Sequence, residues 1–360
     1  MANAMGRFAE TENMARKGDA MNFLLLAIGM VLLVKGADLA LDSAGELAHH
    51  LGVSAFTIGM TLVAAGTSAP ELVIGVMSGL EGANQLTLGD VIGSSIVNIA
   101  VVLGLTAVIL PIPVQPLVSK REIPLSFTVQ LLLVGLLFTG SVLSRSESLV
   151  LLAGMLVLAV YVGVQVVRMQ NWNLPQDAIQ EEFLELLEDE EEVYEDQFGS
   201  ESATRVAAEP TLSPLRMSLS FILGLAIMIG GAQLVVDHSI AIAHSFGLSA
   251  EFIGITIVAF GTSLPELTAS LIAAWRRKLD IAVGNIIGSN IFNILLVLGV
   301  SGAIHPINYS PGIMADLAVM LLATLMLWIP SWYKHNISRM SGLFLVAFYL
   351  GYITWKVVNI

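Results

Sequence analysis

Long apolar stretches recur at regular intervals along the chain. They cover about residues 22–42, 54–80, 87–111, 124–143, 147–167, 216–239, 251–275, 281–305, 312–330 and 340–358. Each is close to the ~20 apolar residues that an α-helix needs to cross a bilayer. Shorter polar segments separate them. The pattern therefore predicts an all-α polytopic membrane protein with ten transmembrane helices.

The composition agrees with a bilayer as solvent. Hydrophobic residues make up 56% of the chain, charged residues only 12%, and the mean hydropathy is +0.81, whereas soluble domains are roughly a quarter charged. The absence of cysteine excludes disulfides, thiolate metal sites and cysteine nucleophiles. The net charge of −13 comes almost entirely from acidic residues within 177–201. It therefore indicates no nucleic-acid partner and no charged docking surface elsewhere.

The distribution of Lys and Arg predicts the orientation. These residues concentrate in the loops that follow odd-numbered spans, and such loops are normally cytoplasmic. We expect both termini to be extracytoplasmic, in the plasma membrane of a bacterium or archaeon. The expected organisation is a tail at 1–21, a five-helix half at 22–168, an acidic cytoplasmic linker at 169–215 and a second half at 216–360. Within the linker, segment 176–201 is a solvated acidic stretch, an amphipathic helix or a regulatory Ca²⁺ sensor.

The chain contains an internal repeat. Residues 59–109 match 254–304 without a gap at a constant offset of 195, with 21 of 51 positions identical. The identical residues include Thr, Ser, Pro, Glu and Asn, so shared hydrophobicity does not explain the match. The offset spans five predicted helices, and an odd number inverts the second copy in the membrane. Two inverted repeats of five helices are typical of secondary transporters, whose sites lie at the repeat interface.

The repeated polar residues predict a site. Glu71 and Glu266 fall near the middle of the second and seventh spans, where a carboxylate costs several kcal/mol or is neutralised by protonation. A single buried acid is often a structural hydrogen-bond partner, but two equivalent acids with the same neighbours favour a function. Pro70 and Pro265 lack an N–H and loosen the preceding turn. The other oxygen donors, at helical spacing, are Thr67, Ser68, Ser94 and Asn98 in the first copy and Thr262, Ser263, Ser289 and Asn293 in the second.

The chemistry of these groups points to hard cations. Carboxylates, hydroxyls and amides are oxygen ligands, and no His or Cys lies among them, which argues against zinc, copper and iron. Such ligands suit Ca²⁺ and Na⁺, whereas Mg²⁺ demands stricter octahedral geometry. The two carboxylates match the charge of one Ca²⁺ and could also host Na⁺ or protons. The glycines of the stretches 89–94 and 284–289 are interpreted as close helix packing rather than phosphate loops, because no lysine follows.

Four motifs carry a family resemblance: GTSAPE at 66–71, GDVIGSSIVN at 89–98, GTSLPE at 261–266 and GNIIGSNIFN at 284–293. They resemble the two alpha repeats of the calcium:cation antiporter superfamily, most closely its prokaryotic sodium/calcium exchangers. The resemblance implies that Ca²⁺ and Na⁺ are the transported partners, that no cofactor is needed, and that helices 1 and 6 slide across the core. It implies central ligands at Glu71 and Glu266, with Thr67 and Thr262 completing the Ca²⁺ site. It further implies ligands for Na⁺, or structural roles, at Ser94, Ser289, Asn98 and Asn293 and at the carbonyls of Ala64 and Ala259.

Three positions bear on the coupling ion. Some family members carry Asp at the position of Asn293, and potassium-dependent exchangers resemble those members. Proton-coupled relatives carry a Glu where this chain has Gly93 and Gly288. These differences favour Na⁺. The expected function is therefore an antiporter that exchanges Na⁺ for Ca²⁺ by alternating access at one central site.

Other functions remain as alternatives. The nearest is an antiporter that couples H⁺ to Ca²⁺ or to another divalent cation. An ion channel is disfavoured by the inverted repeat, and an intramembrane hydrolase by the lack of a nucleophile paired with a base in the core spans. A scaffold without transport would tolerate loss of both glutamates. No obligate protein partner is evident beside the lipid bilayer.

Overall fold

The computed structural model describes residues 2–51, 53–82, 85–138, 140, 142–171, 213–245, 261–309 and 312–358. Within these residues, helical segments stand at the positions of all ten predicted spans. We number them α1 (Ala2–Leu51), α2 (Ala55–Thr67 and Ala69–Glu81), α3 (Gln85–Val97 continuing to Ile109), α4 (Val118–Glu122 continuing to Leu137), α5 (Arg145–Asn171), α6 (Pro214–Ser245), α7 (Leu264–Trp275), α8 (Leu279–Phe292 continuing to Ile304), α9 (Ile313–Lys334) and α10 (Arg339–Val358).

The helices have the length and composition of membrane spans. Seven of those described are long and apolar enough to cross a membrane, and the two segments of α2 together make an eighth. α1 begins at Ala2, so the backbone of the expected N-terminal tail is helical. Residues 172–212 of the acidic linker lie outside the described residues, as do residues 246–260, which include the first part of the seventh predicted span.

The second span is broken where the proline motif predicts it. The two segments of α2 meet at an angle of 44° around Ser68, whose φ of −82° and ψ of 6° lie outside the α-helical region. Pro70 occupies the first turn of the second segment, where its missing N–H costs no hydrogen bond. Ser263, the equivalent residue of the second copy, has φ −86° and ψ 4° and precedes α7 in the same way.

Short strands connect the two halves of the chain. β1 (Ile112–Pro113) follows α3 and pairs antiparallel with β4 (Asn336–Ile337), which precedes α10. β2 (Val142–Leu143) precedes α5 and pairs antiparallel with β3 (Ile307–Asn308), which follows α8. An offset of 195 converts β1 into β3, and an offset of 194 converts β2 into β4, so the two pairings are equivalent. This symmetry agrees with the predicted inverted repeat.

The α1–α6 contact has the same symmetry. A Cβ atom added to Gly36 would lie 2.7 Å from the carbonyl oxygen of Gly224, and one added to Gly29 would lie 3.0 Å from that of Gly231. The pairs run in opposite directions along the two helices, and the offset of 195 exchanges them. Glycine permits this backbone contact because it has no side chain. α1 and α6 are therefore equivalent helices that cross antiparallel.

The buried apolar residues form two clusters. The larger involves α2 to α5 and α7 to α10, and none of its members comes from α1 or α6. The smaller contains the α1–α6 contact together with residues of α2, α7 and α8. Among the described residues, α1 and α6 thus form a unit of their own beside the main core.

The close packing predicted for the glycines of 89–94 and 284–289 is confirmed for the second copy. A Cβ atom on Gly284 would collide with the carbonyl oxygen of Phe56, and one on Gly288 with that of Met60. α8 therefore rests directly on the first segment of α2. By symmetry, Gly89 and Gly93 correspond to a contact with residues before Gly261, which lie outside the described residues.

Candidate cation-binding site

Both central glutamates lie in the first helical turn after a break. Glu71 follows Ser68 at the start of the second segment of α2, and Glu266 follows Ser263 at the start of α7. Their side chains are 1% and 0% exposed. In this position each carboxylate faces the positive end of a short helix. The local sequence, Ser-x-Pro-Glu, therefore both breaks the helix and places an acid at the break.

One cluster of hydroxyl groups joins the two halves of the chain around Glu266. The Oε1 atom of Glu266 lies 3.5 Å from the hydroxyl oxygen of Ser68 and 3.5 Å from that of Ser289. The Thr67 hydroxyl lies 3.2 Å from the Ser289 hydroxyl and 3.1 Å from Oδ1 of Asn285. α2, α7 and α8 thus contribute to one group of oxygen atoms, as the repeat predicted.

Glu71 is the unusual member of this group. Neither of its carboxylate oxygens has a hydrogen-bond partner, although both are buried. The charged groups that act on it electrostatically are Glu266 and Asp90, both of them acids. No ion pair among the described residues includes Glu71 or Glu266. A buried carboxylate without a partner is costly, so this arrangement fits a cation as substrate.

The predicted residues of α3 and α8 are buried but differ in their contacts. Asn98 donates its amide to Oδ1 of Asn290 at 3.1 Å, which links α3 to α8 and leaves its own Oδ1 without a partner. Neither amide atom of Asn293 has a partner. Ser94 donates to the carbonyl of Asp90 within α3 at 2.6 Å. Free oxygens on Asn98 and Asn293 are therefore available to a cation, and so are the lone pairs of the Ser94 hydroxyl, whose proton is donated elsewhere.

The Ser263 hydroxyl and the Ala64 carbonyl, both predicted ligands, differ in their hydrogen bonds. The Ser263 hydroxyl is buried and has no hydrogen-bond partner. The Ala64 carbonyl accepts from the Ser68 amide at 3.0 Å and lies 3.3 Å from the Thr67 hydroxyl. The Ser68 amide engages one lone pair of this carbonyl. The single proton of the Thr67 hydroxyl has a shorter alternative acceptor in Oδ1 of Asn285, at 3.1 Å, which would leave the second lone pair of Ala64 for an ion. Ala259 lies outside the described residues.

The structure adds Asp90 to the predicted residues. One carboxylate oxygen of Asp90 accepts from the Thr262 hydroxyl at 3.2 Å, and the other is buried without a partner. Asp90 lies one turn before Ser94 on α3, and its equivalent in the second copy is Asn285. The row Asp90, Ser94, Asn98 at i, i+4, i+8 was visible in the sequence. The repeat does not predict this acid, because the two copies differ at this position.

A cavity of about 270 Å³ reaches Thr262. It lies between α2, α6 and α7 and is also lined by Pro70, Gln233 and Asp237. Gln233 and Asp237 are exposed, and the Gln233 amide donates to Asp237 at 2.9 Å. The cavity therefore connects the protein surface near Asp237 with one edge of the site.

The end of α1 that corresponds to the Asp237 end of α6 carries a cluster of ion pairs. Arg276 forms ion pairs with Asp38, at 2.7 Å, and with Asp42. Lys278 forms a further ion pair with Asp42, at 3.0 Å. Asp42 is the first-copy equivalent of Asp237. The hydrogen bond that Arg276 donates to Asp42, with the charges of Asp38 and Asp42, raises the pKa of Arg276 above its usual range. These pairs tie the end of α1 to the segment that joins α7 and α8.

The sequence matches the model of one protein family. That family is described as sodium/calcium exchanger protein, and the match covers residues 21–169 and 217–358. The putative antiporter CaxA of Alkalimonas amylolytica is 36% identical over 91% of this chain and 96% of its own length. The sodium/calcium exchanger MaX1 of Methanosarcina acetivorans is 32% identical over 92% of this chain and 97% of its own length.

Solved structures show the same fold. Structures of the sodium-calcium exchanger NCX_Mj superpose with a TM-score of 0.73, at 28% identity, over 94% of this chain and 99% of theirs. A second structure of that protein, soaked with 10 mM Na⁺ and no Ca²⁺, gives a TM-score of 0.72. The similarity therefore extends over both halves of the chain.

Proposed function

Because this chain belongs to the sodium/calcium exchanger protein family, in its prokaryotic branch, we propose that it exchanges Na⁺ for Ca²⁺ across the membrane. The family is one of ion exchangers rather than enzymes. The observation that carries the proposal is Glu71, a buried carboxylate without a hydrogen-bond partner, whose charged neighbours are both acids. A bound cation would compensate this charge.

The ligand set explains why the two ions compete. Glu71 and Glu266 neutralise one Ca²⁺, and the hydroxyl and amide oxygens supply the remaining ligands at the flexible geometry that Ca²⁺ accepts. Na⁺ takes the same oxygen ligands with half the charge, so several Na⁺ ions are needed to neutralise the site. Occupancy by either ion offsets the cost of the buried acids. The empty, charged site would be expensive to carry through the membrane.

Sodium is proposed as the coupling ion on the three sequence positions already described. This chain has Asn293 where the version that potassium-dependent relatives resemble has Asp. It has Gly93 and Gly288 where proton-coupled relatives have Glu. The alternative, coupling to H⁺, would use the same two glutamates as proton carriers. If three Na⁺ are exchanged for one Ca²⁺, each cycle moves one net charge, worth about 2.3 kcal/mol per 100 mV.

Alternating access would use the α1–α6 unit. This pair is separate from the main apolar cluster, so it can slide without disrupting that core. In the proposed orientation the cavity at Asp237 opens to the extracytoplasmic side, and the ion pairs of Arg276 and Lys278 close the cytoplasmic side. Transport to the cytoplasm would require these pairs to separate. The acidic linker at 169–215 would lie on that same side.

The test is Ca²⁺ uptake into liposomes that contain the purified protein and a Na⁺ load, after dilution into Na⁺-free buffer. A parallel sample replaces the Na⁺ gradient by a pH gradient at equal voltage. We expect uptake with the Na⁺ gradient alone, and its loss in Glu71→Gln and Glu266→Gln. Glu81→Gln is the matched control, since Glu81 lies at the exposed end of the same helix as Glu71. Uptake with the pH gradient alone would establish the proton-coupled alternative.

A further inference from the structure

The two copies of the repeat place different groups beside their central threonines. In one, the Thr67 hydroxyl lies 3.1 Å from Oδ1 of Asn285. In the other, the Thr262 hydroxyl lies 3.2 Å from Oδ1 of Asp90. The offset of 195 relates Thr67 to Thr262 and Asp90 to Asn285. The two contacts are therefore equivalent in position but differ by one negative charge.

Asp90 has capacity for a ligand beyond this contact. Its Oδ2 atom is buried and without a hydrogen-bond partner, and no ion pair among the described residues includes it. It acts electrostatically on Glu71, whose own oxygens are also unpartnered. A structural role, such as holding the Thr262 hydroxyl, needs one neutral acceptor oxygen. Asparagine would provide it, as Asn285 does beside Thr67.

We infer that Asp90 is a third carboxylate ligand of the cation site and that, together with Thr262, it forms a subsite for a monovalent cation. This inference rests on the proposed function and specifies how the site distinguishes its ions. The cavity near Asp237 reaches the same Thr262, so the acidic half of the site is the half beside that cavity.

The charge balance follows from the residues. Glu71, Glu266 and Asp90 carry three negative charges when ionised, whereas one Ca²⁺ supplies two positive charges. Three Na⁺ neutralise the site completely, and one Ca²⁺ does so only together with one monovalent cation. Asp90 therefore favours Na⁺ over Ca²⁺ relative to a site with the two glutamates alone. Its loss is expected to weaken Na⁺ binding more than Ca²⁺ binding.

The experiment measures how much Na⁺ releases Ca²⁺ from the purified, full-length protein, using ⁴⁵Ca²⁺ at equilibrium and increasing NaCl. Asp90→Asn keeps the acceptor for Thr262 and removes only the charge. We expect the Na⁺ concentration for half release to rise about tenfold, equivalent to about 1.4 kcal/mol, with a lower Hill coefficient for Na⁺. Asp90→Glu retains the charge and is expected to remain closer to the unaltered protein.

Two further variants guard against a purely structural effect. Ser95→Ala is the control on the same helix, because the Ser95 hydroxyl donates only to the Val91 carbonyl within α3, and it is expected to behave as the unaltered protein. Asn285→Asp places an acid at the equivalent position beside Thr67. This variant is expected to lower the Na⁺ concentration for half release of Ca²⁺. It tests the inference if Asp90→Asn does not fold.

The outcomes separate this inference from the proposed function. Half release by Na⁺ within twofold of the unaltered protein in folded Asp90→Asn overturns the third ligand but leaves sodium/calcium exchange standing. If Asp90→Asn does not fold, an unchanged Na⁺ requirement in Asn285→Asp overturns the third ligand. If Na⁺ does not release Ca²⁺ from the unaltered protein, sodium coupling itself fails, and the inference fails with it.

Discussion

Replacement of Glu71 by glutamine should stabilise the ion-free protein while removing its stabilisation by Ca²⁺. Most substitutions of fully buried residues destabilise a protein. Glu71 differs because its two oxygens have no hydrogen-bond partner and its charged neighbours are acids. The fold therefore bears the cost of this carboxylate whether the group remains ionised or must first take up a proton. Ligand binding offsets that cost.

The magnitude follows from these contacts. The effective cost of a buried unpaired carboxylate is several kcal/mol. Glutamine has the same shape and leaves a neutral amide unsatisfied, at about 1–3 kcal/mol. The ion-free variant should thus be more stable by about 1–3 kcal/mol, the difference between these two costs. A change of this size moves the midpoint of thermal unfolding by a few degrees.

Ca²⁺ binding, in contrast, should stabilise the unaltered protein and not the variant. Ca²⁺ at about 1,000 times its dissociation constant stabilises the folded state by about 4.1 kcal/mol, and Glu71→Gln should show almost none of this gain at the same concentration. The order of stability of the two proteins therefore reverses when Ca²⁺ is added. Thermal unfolding followed by tryptophan fluorescence, with a chelator or with Ca²⁺, measures both quantities.

Glu81→Gln is the control for the chemical change, because Glu81 is exposed at the end of α2. It should shift neither curve by more than about 0.5 kcal/mol, the usual range for surface substitutions. A loss of more than about 1 kcal/mol in ion-free Glu71→Gln would refute the reasoning, since a typical protein hydrogen bond is worth about that much. Glu71 would then make a structural contact that its position in a cation site does not predict.

Three other substitutions test the parts around the site. Arg276→Ala removes both ion pairs of that residue, each worth up to about 1 kcal/mol because the groups are partly exposed. The loss should favour opening at the end of α1. A reporter thiol can be introduced there by Ser43→Cys, because Ser43 is buried and the chain has no other cysteine, and this thiol should react with a maleimide several-fold faster in the Arg276→Ala background. Gly36→Ala would force a Cβ atom against the Gly224 carbonyl and should destabilise the protein by about 1–3 kcal/mol, whereas Gly351→Ala, exposed on α10 and open within the described residues, should not lower the unfolding midpoint. Asn290→Ala leaves the buried Asn98 amide without its acceptor and should cost about 1–3 kcal/mol by the same measurement, and an unchanged midpoint would show that the link between α3 and α8 is dispensable.

The helices and the glutamates could be predicted because few other structures satisfy the same sequence pattern. An apolar stretch of about 20 residues has one stable conformation in a bilayer. A proline directly before an acid at mid-depth predicts a break, and both Ser68 and Ser263 lie at such breaks. These inferences need only local sequence and the properties of the bilayer.

The π-helical turns and the strand pairs could not be predicted in this way. Asn98–Leu103 and Asn293–Leu298 are π-helical at equivalent positions of α3 and α8, yet their sequences are ordinary apolar helix sequences. The extra residue per turn depends on packing against neighbouring helices, which a single sequence does not specify. The two-residue strands are similar, since each exists only through its partner in the other half of the chain.

The differences between the two copies are harder to interpret than their identities. Residues that remain identical after a duplication indicate a shared role, whereas a difference has drift as its simplest explanation. Contacts remove this ambiguity at two places. Asp90 and Asn285 differ at the position where each contacts a central threonine. Arg276, which pairs with Asp38 and Asp42, corresponds to the acid Glu81 in the first copy. The first difference changes the charge of the proposed ion site, and the second ties one end of α1 to the segment between α7 and α8. An exchanger that works between two unlike compartments needs its two halves to differ, and these two positions are where the described structure gives such a difference a physical effect.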